Sequence, residues 1–285
     1  MLCSMRIDRI QLVTPDRAAT AGSWQRLLDA ETADEDKLGT LAARRTTLSV
    51  GTSQVELLEP DGSGPVADFA AATGGAGVFA AGFSVPDLQR AAADLRGRGV
   101  EFAEEGGQLL LDPAATGGSG LRVVVSADQQ RPRAGLIERL YEVTNLVADA
   151  PAATDALVAA FGLDPAPFVP IRSDQYGYDG VLTLFEAGSL DRVEIIHPFD
   201  ADKTMGRFFG KRGPCLYMCY GETDRPAEVR ERALAEGPGH WTGPREGDRP
   251  DNQFLHPKAL GGVMLGVSRT TFAWSWSGAP ERIAP

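Results

Sequence analysis

Histidine is scarce in this sequence, with three among 285 residues, and cysteine is equally scarce. Cys3, Cys215 and Cys219 make an odd count without a CxxC pair, which argues against a disulfide framework and against a thiolate zinc site. Cys215 and Cys219 read as small core residues. Long apolar runs are missing too. None approaches the roughly 20 residues that span a bilayer, and MLCSMRIDRI lacks the apolar centre of a signal peptide, so the expected compartment is the cytoplasm and no membrane partner is expected. Positive charge is short: 28 Lys and Arg stand against 39 Asp and Glu, a net charge of -11. The basic residues are scattered, so phosphate backbones and anionic lipid are repelled and nucleic-acid binding is excluded. Aromatic residues amount to only 7%, yet 43% hydrophobic residues suffice for the core of one large or two medium domains.

What the chain does have is internal repetition. Four times a short apolar strand leads through an Asp into a helix-like run: RIDRIQLVTPDRAATAGSWQRLL, GVFAAGFSVPDLQRAAADLRGRG, RLYEVTNLVADAPAATDALVAAFG and CLYMCYGETDRPAEVRERALAEG. Asp16, Asp87, Asp149 and Asp224 read as N-caps, their carboxylates accepting from the first helical turn. Three of the helices end near Gly99, Gly162 or Gly237. Strand-rich stretches follow each helix: TTLSVGTSQVELLEP, GQLLLDPAATGGSGLRVVVSA, GVLTLFEAGSLDRVEIIHP and NQFLHPKALGGVMLGVS. The unit is a strand, a helix and about three strands, repeated at roughly 60 to 75 residues. DQQRPRA has the one clear linker composition, which predicts domains over residues 1–127 and 136–285 joined by a linker over 128–135.

These repeats resemble the βαβββ modules of the vicinal oxygen chelate superfamily, which includes glyoxalase I, methylmalonyl-CoA epimerase, extradiol dioxygenases and the fosfomycin- and bleomycin-resistance proteins. IDRIQLVTPD and YEVTNLVAD resemble its opening strand, VELLEP and VEIIHP its closing strand, and MGRFFGKRGPCLYM with FLHPKALGGV resemble the epimerase branch. The fold implied is α+β, four modules paired into two cup-shaped domains. The resemblance also implies a divalent metal on the floor of a cup, with ligands from the first and last strand of each module. It places Arg9, Glu56, Ala80 and Val124 at those positions in the first half, and Glu142, Glu194, Met218 and Gly266 in the second. The histidines His197, His240 and His256 fall elsewhere. Two carboxylates without imidazole make a poor catalytic metal site, so no metal ligand and no cofactor are assigned; a divalent metal on an atypical carboxylate site stays as an alternative.

Strand alternation places Thr144 with Glu142, Arg192 with Glu194, Tyr220 with Met218, and Met264 with Gly266. Glutamates in an apolar cup acquire raised pKa values, which suits proton transfer next to a carbonyl, with Arg192 holding a carboxylate or an enolate oxygen. Glu142 and Glu194 are the candidate catalytic residues. Gly266 and Met218 are expected to open room for a ligand; His256 and Lys258 to meet an anionic tail or to be a solvated pair; Tyr176 and Tyr178 to lid the cup or to be turn residues. Trp274 and Trp276 of the C-terminal segment are expected to dock on the surface or form an interface. Arg9 with Glu56 reads as structural, and Glu142, Glu194 and Arg192 could be no more than a buried ion network. The function expected is a metal-independent isomerase or lyase acting on a small carbonyl acid or acyl-CoA thioester, with a non-catalytic binding protein of the antibiotic-sequestering kind as the alternative. A homodimer is left open.

Overall fold

The computed structural model describes residues 4–237, 239–242 and 250–285; Cys3 lies outside them. Each repeat folds as one strand, one helix and three strands. The first module is β1 (Arg6–Val13), α1 (Arg17–Leu28), β2 (Glu31–Leu38), β3 (Ala43–Val50) and β4 (Ser53–Pro60), followed by α2 (Pro65–Thr73). The second is β5 (Gly77–Val85), α3 (Leu88–Gly97), β6 (Ala103–Glu105), β7 (Gln108–Leu111) and β8 (Val123–Ala127). The third is β9 (Arg139–Leu146), α4 (Ala150–Phe161), β10 (Val169–Ser173), β11 (Tyr178–Leu184) and β12 (Arg192–Pro198), followed by α5 (Thr204–Arg212). The fourth is β13 (Cys215–Thr223), α6 (Pro226–Ala235), β14 (Trp241–Thr242), β15 (Asn252–Leu255) and β16 (Met264–Arg269). The fold class is α+β, built of four βαβββ modules.

Three of the four expected caps form. Asp16 accepts from the Ala19 amide at 2.9 Å, Asp87 from Arg90 at 2.9 Å and Asp149 from Ala152 at 3.0 Å, each satisfying a donor that the first helical turn leaves over. Asp224 does not cap α6. Arg225 holds that position, Pro226 opens the helix with no amide to satisfy, and the Asp224 carboxylate pairs with Arg133 instead. At the far end of α4, Gly162 takes φ 66° and its amide returns to the Val158 carbonyl, a left-handed stop that a side chain would strain.

The strand orders are β2-β3-β4-β1-β5-β8-β7-β6 and β10-β11-β12-β9-β13-β16-β15-β14. In the first and third modules the opening strand runs parallel to the closing strand: Gln11 faces Glu56, Glu142 faces Arg192, and Thr144 faces Glu194. Contacts cluster the chain into two compact units. One comprises Met1–Ile7, Ala80–Asp128 and Glu142–Tyr217; the other comprises Asp8–Phe79, Gln129–Tyr141 and Met218–Pro285. In the first unit Phe83 meets the rings of Phe161 and Phe185 edge-on at 5.2 and 5.1 Å, over a core that includes Leu157, Val193 and Ile195. In the second, fully buried Trp24 of α1 donates its ring N–H to the Leu260 carbonyl at 3.3 Å, so its one polar atom is satisfied inside the core. The segment with linker composition is tied down in this second unit. Ala134 bridges Gly51, Arg131 holds Asp8 at 2.7 Å, and the Leu136 amide reaches the Leu28 carbonyl at 2.9 Å. Among the described residues no helix is long and apolar enough to cross a membrane.

Candidate functional site

In the first unit, β9 and β12 present their alternate residues on one face, so Glu142, Thr144 and Leu146 stand beside Arg192, Glu194 and Ile196. β11 continues that face, because Leu182 lies opposite Glu194 and Tyr178 is four residues from Leu182 along the strand. Arg192 is wholly buried, and both its Nε and its Nη2 lie 2.6 Å from Oε2 of Glu142, while Nη1 donates to the Leu190 carbonyl at 3.2 Å. Its charge is thereby neutralised on the spot, as a buried ion requires. The Thr144 hydroxyl donates to Oε2 of Glu194 at 2.6 Å. Among the described residues no cation pairs with Glu194 in this way.

The two glutamates therefore differ. Burial raises Glu142, and Arg192 pulls the other way. Glu194 is pushed up to about 8, by burial first and by the Glu142 charge second, against the smaller opposing effects of Thr144 and Arg192. A fully buried guanidinium keeps its charge and needs its partner ionised, so the proton that the pair shares belongs on Glu194. Glu194 is consequently a carboxyl that exchanges its proton near neutral pH inside a desolvated site.

One step further along the same strands the face turns apolar. Leu146, Ile196 and Met205 form a buried cluster, and Ile171, Tyr178, Phe208, Phe209 and Tyr217 pack against it while remaining partly exposed. Phe208 and Tyr217 bring their rings to 5.6 Å. Burial raises the Tyr178 and Tyr217 hydroxyls, reinforced by the Glu194 charge and, more weakly, by Glu142, which places both phenols within electrostatic reach of the carboxyls and keeps them protonated. Tyr217 and the α5 aromatics were not singled out from sequence. Nothing in CLYMCY tells Tyr217 from its neighbours, and α5 lies outside the module pattern.

Several expected members behave otherwise. Met218, Tyr220, Gly266, His256 and Lys258 belong to the second unit. Gly266 does not open room: a β-carbon there would lie 2.3 Å from the Tyr220 ring, which covers it, and Tyr220 is itself packed by Phe254 and Trp276 at 5.7 and 5.9 Å. Trp276 and the buried Trp274 thus dock within this unit. His256 and Lys258 are exposed in a short 3-10 turn whose Lys258 amide donates to the His256 ring at 3.2 Å. Tyr176 is exposed at the β10–β11 turn, and its carbonyl accepts the Met205 amide at 3.1 Å. That bond pins the turn to the start of α5, so it is no free lid, while Tyr178 packs against the Leu146, Ile196 and Met205 cluster. Arg192, expected to hold a carboxylate or an enolate oxygen, is engaged by Glu142. Ala80 and Val124 are buried and apolar.

Glu56, in the second unit, has a different setting. Arg9 holds it at 2.6 Å, Arg45 at 3.3 Å, and Gln11 donates to it at 2.8 Å. Burial alone would raise it, but the two guanidinium charges and the hydrogen bonds outweigh burial and hold Glu56 low. Asp8 and Arg131 extend this network, which is a permanent ion cluster. Arg45 is a member that sequence reading missed.

A divalent metal does not fit either carboxylate. The place of a cation beside Glu142 is filled by Arg192, and beside Glu56 by Arg9 and Arg45. Among the described residues no group of three or more His, Cys, Asp and Glu side chains is set to hold an ion.

Residues 8–111 match the sequence model of the Glyoxalase/Bleomycin resistance protein/Dioxygenase superfamily. A triple mutant of 4-hydroxymandelate synthase from Streptomyces coelicolor superposes with a TM-score of 0.71 at 15% identity, covering 93% of this chain and 92% of its own. A methylmalonyl-CoA epimerase from the same organism is 24% identical, covering 43% of this chain and 98% of its own at a TM-score of 0.38. The Mycobacterium tuberculosis epimerase is 21% identical, covering 47% and 89% at 0.38. No curated protein sequence matches.

Proposed function

Because residues 8–111 match the Glyoxalase/Bleomycin resistance protein/Dioxygenase superfamily model and the chain has the vicinal oxygen chelate fold, we propose that it is a metal-independent isomerase or lyase in which Glu194 moves a proton next to a carbonyl. The observation that carries this reading is a buried carboxyl, 2.6 Å from a threonine hydroxyl and with no paired cation among the described residues, beside a second carboxylate already committed to an arginine. In its ionised form Glu194 takes the proton from the carbon next to the carbonyl. The C–H electron pair moves toward the carbonyl oxygen, giving an enolate, and the now neutral Glu194 returns the proton to carbon, at the other face or at a neighbouring atom. One negative charge is present throughout, so the step needs no new counter-ion. Thr144 fixes the carboxyl, and burial, reinforced by the Glu142 charge, keeps Glu194 basic.

The test is solvent exchange. A panel of small carbonyl compounds is incubated with the protein in deuterium oxide and followed by NMR. The wild type is expected to wash out the C–H signal next to the carbonyl of at least one compound, and Glu194→Gln to wash out none. Exchange that survives in Glu194→Gln removes Glu194 from the role.

The partly exposed aromatic cluster favours a second reading, a protein that binds a flat apolar molecule and releases it unchanged. Tight binding without exchange on any bound compound would select it. With a net charge of -11, a small molecule rather than nucleic acid or membrane is the partner in both readings.

A further inference from the structure

The apolar rim and the hydroxyls at its border bear on what the site accepts. Resting on the proton-transfer reading above, we propose that Tyr178 and Tyr217 donate their hydroxyls to the substrate's carbonyl oxygen, and that the substrate is an uncharged carbonyl compound bearing a flat aromatic ring.

Three observations converge. The strand face that carries Glu142, Thr144, Arg192 and Glu194 continues directly into Leu146 and Ile196, so a molecule whose reacting carbon meets Glu194 lays its next few atoms on that cluster, about 7 Å further along the strands. The walls there are Ile171, Phe208, Phe209 and the two tyrosine rings, partly exposed rather than sealed, with Phe208 and Tyr217 at 5.6 Å. Rings of this kind prefer offset or edge contacts with another ring. The charge pattern then selects a neutral partner. Arg192 spends Nε and Nη2 on Glu142 and Nη1 on Leu190, so it offers nothing to a carboxylate or phosphate, and Glu142 beside it repels one. A neutral ketone meets no such repulsion. As its C–H proton passes to Glu194, the charge leaving the carboxylate appears on the enolate oxygen, where two phenolic donors stabilise it; phenols kept neutral by burial are suited to this task.

Fluorescence titration with 2-naphthol, 2-naphthoate and naphthalene tests recognition. On the wild type, 2-naphthol is expected to bind at least tenfold more tightly than either 2-naphthoate, which carries a charge, or naphthalene, which has no oxygen. Tyr178→Phe and Tyr217→Phe are each expected to weaken 2-naphthol at least fivefold without moving the thermal midpoint. Equal or tighter binding of 2-naphthoate, or of naphthalene, overturns the proposal on the wild type alone, whatever the variants do. Deuterium exchange next to the carbonyl of 2-tetralone separates it from the functional reading. Tyrosine-dependent binding of 2-naphthol with no exchange sinks proton transfer and leaves the recognition site standing. Exchange abolished in Glu194→Gln, with 2-naphthol binding indifferent to both tyrosines, sinks the recognition site and leaves proton transfer standing.

Discussion

Glu56 and Glu194 occupy the same place in the closing strands VELLEP and VEIIHP, both are buried, and they titrate in opposite directions. The difference lies in the number of guanidinium groups: two face Glu56, while the nearby Arg192 is taken by Glu142. Equivalent acids driven apart in this way are suited to a division of labour between a structural and a reactive group. The direction of the Glu194 shift fixes its effect on stability. An unfolded glutamate titrates near 4.5 and the folded one near 8. Between those values the native protein keeps a proton that the unfolded chain has released. The contribution is fully present below about 4.5, declines as pH rises, and is gone above about 8. Glu194→Gln, which cannot ionise, removes this decline. Urea denaturation at pH 5 and pH 9 should show the wild type losing roughly 2–4 kcal/mol more than the variant; parallel losses would contradict the assignment. Under the proposed role, kcat/KM should rise through a pKa near 8 as the base form of Glu194 appears. Arg192→Met leaves Glu142 buried without its partner and should cost roughly 3–5 kcal/mol, most of it recovered in the double variant Arg192→Met with Glu142→Leu. An unchanged denaturation midpoint in the single variant would show that the ion pair is not buried as described.

At the scale of elements, the clearest contrast is between caps. Asp149 satisfies an amide of α4, whereas Asp224 only meets Arg133 at the surface. Asp149→Ala should therefore cost about 1 kcal/mol, and Asp224→Ala no more than a few tenths, by thermal denaturation; equal effects would mean that the capping bond is idle. The two aspartates look alike in sequence, each just before a helical run. What separates them is Pro226 after Asp224, which opens α6 without an amide, a local cue that was present in the chain and outweighed by the repeat. Gly266 gives the opposite lesson. Its small size suggested an open floor, but a lost side chain on one strand can be filled by a neighbour on the next, and the Tyr220 ring does so. Gly266→Ala should destabilise by roughly 1–3 kcal/mol through crowding, with the loss much reduced in a Tyr220→Leu background. Additive losses would show that the ring is free to move aside.

At the scale of the whole molecule, most of the architecture was legible because each module repeats a local pattern of apolar strands around one helix, with an Asp cap in three of the four. The carboxylates and Arg192 were legible for the same reason, since strand period alone puts Glu142 with Thr144 and Glu194 with Arg192 on shared faces. Tyr217, Phe208, Phe209 and Arg45 were not, because their places depend on how a strand or an inserted helix packs, and sequence spacing carries no record of that. The remaining question at this scale is whether the fold's expected metal has a successor. In this chain buried arginines provide the positive charge: Arg9 and Arg45 at Glu56, and Arg192 at Glu142. A guanidinium already bonded at 2.6 Å has a high local concentration and no ligand shell to lose, so an added divalent ion must displace a buried charge and leave it unpaired. Purified protein should then carry well under one equivalent of any divalent metal by elemental analysis, and chelator should leave both the thermal midpoint and solvent exchange unchanged. Titration with manganese or zinc should shift the midpoint by no more than weak surface binding does. A stoichiometric ion whose removal lowers the midpoint or stops exchange would show that the arginines have not taken over its role, and Glu194 would then have to be reconsidered as a ligand rather than a base.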